Sequence, residues 1–176
     1  MKRVLLAAAV FTFLLTLSSV LSSMAEGVEG FRGLKWGTPI DEIRRTKQLV
    51  IKQNDGNNKY VYYALVDDNL RFGGVNAVSI RYFFWKNKFA GVVITTMGER
   101  DFDVLKGATD EKFGLGMTGI GPSGEEIISW NGNSTDVTLS YEQTSRKGKL
   151  VLFSKMIHEL KGGLEAEKYK REDEGN

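Results

Sequence analysis

The sequence predicts an α+β fold: an antiparallel sheet, or sheets, of six to seven strands with helices packed on one side. Strand-like runs follow one another without a helix between them, over 59–97 and again over 125–153. Helical spacing is confined to one segment before each of these runs and one after the second. Consecutive strands between single helices favour an antiparallel α+β sheet over a doubly wound parallel one. The order also reads as two α-then-β-meander units in tandem, although no residue-level repeat accompanies it.

The first 25 residues read as an address. Met1-Lys2-Arg3 precedes an apolar run over 4–17, then small polar residues and Ser23-Met24-Ala25. This is the order of a secretory signal peptide, with cleavage expected after Ala25. The apolar run is shorter than the roughly 20 residues that span a bilayer, so no stable membrane span is expected after cleavage. Residues 26–162 are then expected to form a single α+β domain, and 163–176 a charged C-terminal helical extension or tail.

Within the domain, Thr38 is positioned to cap a helix over 39–47. Pro39 would stand at the first helical position and Asp41 and Glu42 in the first turn, where the helix dipole favours anions. A turn cluster at 55–58 leads to a strand over 59–66, and 70–72 adds a short one. The clearest strands are 75–85 and 89–97, joined at Lys86-Asn87-Lys88. Phe102, Leu105, Ala108 and Phe113 then recur at helical spacing over 99–113, with Gly114 as the stop. A glycine-rich connection at 114–124 opens a meander of strands over 125–130, 134–142 and 149–153. Its first hairpin turns at Asn131-Gly132-Asn133, its second at Arg146-Lys147-Gly148. A last helix is expected over 155–160.

Composition narrows the function classes. The 176 residues are 41% hydrophobic and 26% charged, with two prolines, one histidine and no cysteine. That excludes a disulfide-stapled scaffold, a cysteine-ligated metal and a lipidated cysteine. Once Lys2 and Arg3 leave with the leader, bases and acids are equal in number. The basic surplus that nucleic-acid binding requires is missing.

The opening Phe31-x-Gly33-x-x-Trp36-Gly37-x-Pro39, behind a signal peptide, resembles that of small uncharacterised secreted bacterial envelope proteins. In those proteins the later helix also ends in an aromatic-Gly pair, as Phe113-Gly114 does here. The likeness covers most of the mature chain in its order of elements. The tandem arrangement is similar to the β-lactamase-inhibitor-protein type of module. Both likenesses imply a binding or assembly part, and neither carries a catalytic residue onto this chain.

The motifs for chemistry are sparse. Gly114-Leu115-Gly116-Met117-Thr118-Gly119 fits G-x-G-x-x-G but follows a helix and precedes a strand, the reverse of the dinucleotide context. It reads as a helix stop and mobile loop. His158 has no second imidazole with which to build a zinc site, and reads as a surface or capping residue. Asp67-Asp68, Glu125-Glu126 and the Asp101/Asp103 pair read as solvated. No catalytic residue, cofactor or metal is therefore assigned.

The unusual feature is aromatic. Alternation sends Ile80, Tyr82 and Phe84 to one face of a strand and Arg81, Phe83 and Trp85 to the other. Tyr60 and Tyr62 against Val61 and Tyr63 are likewise apolar on both sides. Either the Phe31–Trp36 segment or the last helix covers the second face, or that face receives a partner. The candidate partner-binding surface is Tyr82, Phe83 and Trp85. The function expected is a soluble periplasmic binding or assembly module of the cell envelope, without catalysis, engaging an envelope protein or peptide. The alternatives are a carrier of a small apolar ligand, held between helix and sheet, and, less favoured, a hydrolase.

Overall fold

The computed structural model describes residues 28–54, 60–121 and 124–162. The leader expected over 1–25, the turn expected at 55–58 and the extension or tail expected over 163–176 lie outside these described residues. Two short strands, β1 (Gly30–Phe31) and β2 (Leu34–Lys35), are followed by α1 (Ile40–Arg44), β3 (Leu49–Asn54) and β4 (Tyr60–Leu65). A second small hairpin, β5 (Arg71–Phe72) with β6 (Val75–Asn76), precedes β7 (Ser79–Trp85) and β8 (Lys88–Met97). Helix α2 (Glu99–Phe113) leads to β9 (Met117–Ile120), β10 (Glu126–Asn131), β11 (Thr135–Glu142) and β12 (Lys147–Ser154). A closing helix, α3, occupies 155–162.

Eight strands form one antiparallel sheet in the order β3-β4-β7-β8-β12-β11-β10-β9. A helix followed by four sheet strands thus occurs twice, and the two meanders meet at their last strands. The seam runs from Met97↔Lys147 to Gly91↔Phe153. The sheet has eight strands rather than six to seven because both edges, β3 and β9, escaped the pattern. All four residues of β9 are exposed, and in β3 Val50 and Ile51 are 41% and 61% exposed. An edge strand held by backbone pairing needs no buried alternation. The glycine-rich 114–124 connection is in this way partly a strand, not a loop throughout.

Helix α1 is shorter than expected. Thr38 does not cap it: its hydroxyl turns back to donate to the Lys35 carbonyl at 2.8 Å. Pro39 stands at the cap position with an extended ψ of 141° and bridges to Lys88. The backbone here is drawn into pairing with the β7–β8 turn, with Phe89 N–H donating to Thr38 O and Ile40 N–H to Asn87 O. Helical geometry can start only at Ile40.

The main core lies between one face of the sheet and α1, α2 and the β1–β2 hairpin, with Ile80, Tyr82 and Phe84 pointing into it. Helix α2 buries Leu105 and Thr109 and sets Phe102 against Tyr141 at 5.2 Å. Leu105 is fully enclosed, a burial that contributes about 1.5–3 kcal/mol. The opening motif is part of this core. Phe31 packs edge-on to Tyr82, Gly33 and Gly37 both take φ of 80°, and the Trp36 ring lies on Phe89 at 4.9 Å.

The opposite face carries its own apolar cluster, with Phe83, Trp85, Ala90 and Val93 packed around Ile157 of α3. The expected alternation along 80–85 holds. The expectation that the helices share one side does not: α1 and α2 pack on one face and α3 on the other. The last helix of the two expected covers supplies the lid, and it covers only part of the face.

Candidate functional site

The three expected surface residues do not form one surface. Tyr82 is 0% exposed in the main core. Its hydroxyl donates to Asp68 Oδ2 at 3.0 Å, while Arg32 Nη1 lies 2.6 Å from Asp68 Oδ1. Burial, reinforced by the Asp68 charge, pushes the Tyr82 phenol well above the usual tyrosine range. Asp68, expected to be solvated, is in fact a half-buried acceptor that joins β7 to the β1–β2 hairpin. Trp85 is on the opposite face but is only 7% exposed, in the cluster that Ile157 caps. Phe83 is buried as well, at 5% exposed, but alone of the three it lines an opening, as part of its floor.

That opening is a concavity of about 390 Å³ on the outer face, beside α3. Its floor is Phe83, Val93, Val151 and Phe153, its wall Tyr60 and Tyr62, and its polar rim Gln53, Arg81 and Lys149. Strand register builds it. Arg81 pairs with Val93, and Val93 with Val151, across three strands. One row along, Phe83 and Phe153 both pair with Gly91. Their rings stack over it at 5.5 Å and 20°. A side chain at position 91 would come within 2.2 Å of Phe83 Cζ and 2.3 Å of Leu152 O.

A bulge produces this arrangement. Phe83 opposes Gly91 and Phe84 opposes Phe89, which leaves Ala90 without a partner. The extra residue sends Phe89 into the main core and Ala90 to the outer cluster, a re-aiming that bulges commonly provide. Tyr60 stands perpendicular to Phe83, at 5.7 Å and 89°.

The rim is cationic. The Arg81 guanidinium lies 5.6 Å over the Tyr62 ring, an attraction between cation and ring quadrupole. Arg81 Nη1 reaches Gln53 Oε1 at 3.4 Å, long for a hydrogen bond. Its Nε is enclosed and has no hydrogen-bond partner. Lys161 of α3 sits 5.2 Å over the Tyr60 ring, and His158 meets Phe153 edge-on at 5.4 Å. Among the described residues no carboxylate lines the concavity. Aromatic faces beside cations can take an anion with an apolar body.

Other groups are structural. Gly116 of the G-x-G-x-x-G stretch donates its N–H to Asp110 Oδ1, and β9 follows rather than a helix. Trp130 Nε1 donates to Asp110 Oδ1 and to the Gly114 carbonyl. The glycines therefore end α2 and let the chain pass over Ile128 and Trp130. Among the described residues no three His, Asp or Glu side chains converge to hold a metal. No helix among them is long and apolar enough to cross a membrane.

Sequence reasoning had Arg81, Phe83 and the two tyrosines on apolar two-sided strands but missed Gln53, Lys149 and Phe153. The last two come from β12, and nothing local announces that β12 inserts beside β8. No family model, curated protein or solved structure matches the chain.

Proposed function

We propose that this chain is a non-catalytic binding module of the bacterial cell envelope, periplasmic or secreted after cleavage following Ala25. It receives a protein or peptide partner on the outer face of its sheet. One observation carries the reading: a concavity floored and walled by Tyr60, Tyr62, Phe83 and Phe153 faces solvent with two cations at its rim. Aromatics and arginine are the side chains that concentrate at the energetic centres of interfaces. The leader-like N-terminus and the resemblance of the opening motif to secreted envelope proteins support the compartment. The carrier reading is less favoured, because Leu105, Ile128 and Leu139 fill the space between α2 and the sheet.

The test is photocrosslinking in cells of the source organism, with p-benzoylphenylalanine placed at Tyr62 and, as control, at exposed Val104 on α2. A discrete adduct from position 62, missing from position 104 and lost with Arg81→Gln, supports the reading. An adduct between two copies of the chain, or from position 62 to residues 163–176, overturns the partner assignment, as does the same adduct from both positions.

A further inference from the structure

We infer that the partner element seated in the concavity is an acidic peptide segment, its Asp or Glu carboxylate held by Arg81 and Lys149 and an adjacent apolar side chain laid on Phe83 and Phe153. The inference rests on the reading of the concavity as the binding surface.

Charge complementarity decides the class of occupant. Among the described residues few cations have a carboxylate oxygen within 4.0 Å, Arg32, Arg44, Lys106 and Lys155 among them, so it is position rather than lack of an ion pair that sets Arg81 and Lys149 apart. Both rim the same depression. Arg81 is also set in place: its guanidinium rests over Tyr62, and its Nη1 has only the distant Gln53 amide. A planar guanidinium fork with unspent donors matches the two oxygens of a carboxylate. Ordering it in advance removes much of the entropy that binding would otherwise cost.

The register supplies the second cation and the apolar half. Lys149 lies two residues from Val151 on β12, so its side chain is on the same face as the Arg81–Val93–Val151 row. The stacked pair Phe83–Phe153 occupies the row on the other side of it. An occupant therefore meets cations on one side and rings on the other. A segment with neighbouring acidic and aromatic side chains fits both.

The experiment titrates the ¹⁵N-labelled protein with N-acetyl-Phe-Glu-amide and with its neutral counterpart N-acetyl-Phe-Gln-amide, followed by amide shifts in β7, β8 and β12. The Glu peptide is expected to bind about tenfold more tightly than the Gln peptide, with an advantage that shrinks in high salt. Arg81→Gln should cut the advantage to about twofold. Lys149→Gln, at an exposed position that poses no threat to folding, should reduce it in the same direction. Equal binding of the two peptides at the concavity would overturn the acidic assignment and leave the binding surface standing. An absence of shifts at the concavity with either peptide would overturn both.

Discussion

Trp36 and Thr135 are 99 residues apart in the chain and joined by a hydrogen bond of 2.7 Å from the indole Nε1 to Oγ1. The same indole donates to the Val28 carbonyl at 3.0 Å, and the Thr135 hydroxyl donates to that carbonyl too. The tryptophan of the opening motif thus ties the first meander to β11 of the second. Replacing Trp36 by Phe keeps the ring contact with Phe89 and removes the donor. The expected cost is about 1–2 kcal/mol, read as a lower urea midpoint. An unchanged midpoint would show that the tie contributes nothing.

Gly91 is required by a close approach, not by its backbone angle. A Cβ there would strike the Leu152 carbonyl across the seam and the ring of Phe83. The carbonyl cannot retreat without loosening the β8–β12 pairing. Gly91→Ala is expected to lower stability by about 1–3 kcal/mol and to part the Phe83–Phe153 stack. The ring separation can be followed by nuclear Overhauser contacts between the two phenyl groups.

Tyr82 links stability to alkaline pH. Its folded form holds the phenolic proton more tightly than the unfolded chain does, because burial and Asp68 both disfavour the phenolate. The unfolded chain gives up that proton near the ordinary value of 10.0. The contribution is therefore complete below that pH and is lost as pH rises above it. Tyr82→Phe is expected to cost about 1–2 kcal/mol at pH 8, with the gap to wild type closing by pH 11. Urea midpoints of the two proteins at both pH values decide it.

Asp110 acts at the other end of the scale. The Lys106 ammonium at 2.7 Å, the Gly116 N–H and the Trp130 indole hold its carboxyl below the usual range, against a smaller opposing effect of burial. Stability from this group is present above the unfolded value of 3.8 and is lost as pH falls through the lowered folded value. Asp110→Asn should lower stability by about 1.5 kcal/mol at pH 7. That difference should fade below pH 3.8, as thermal midpoints across an acid series would record.

The parts of the fold that were legible are those where side chains repeat a local period. The alternation from Ile80 to Trp85 is imposed by two packed faces, and the Phe102–Leu105–Phe113 stripe by one. Both can be read without knowing any neighbour. Strands β3 and β9 were hidden because their order comes from main-chain bonds, to which side-chain identity is nearly indifferent. Asp68 looked solvated because its partners, Arg32 and Tyr82, are remote in sequence. The concavity was half visible for the same reason. Arg81, Phe83, Tyr60 and Tyr62 belong to one meander and showed their two-sided character. Lys149 and Phe153 arrive only through pairing across the seam. The thin hydrophobic signal of 155–160 also does not say on which side of the sheet the helix will lie.

The seam imposes an order on synthesis. Strand β8 is the long apolar centre of the sheet, yet its second neighbour, β12, follows it by about fifty residues and is the last of the described strands to be made. Until then Phe89–Ile94 presents an unpaired backbone ladder. A chain stopped between residues 97 and 147 would keep that edge of β8 open, and an unpaired apolar edge is a template for pairing with other chains.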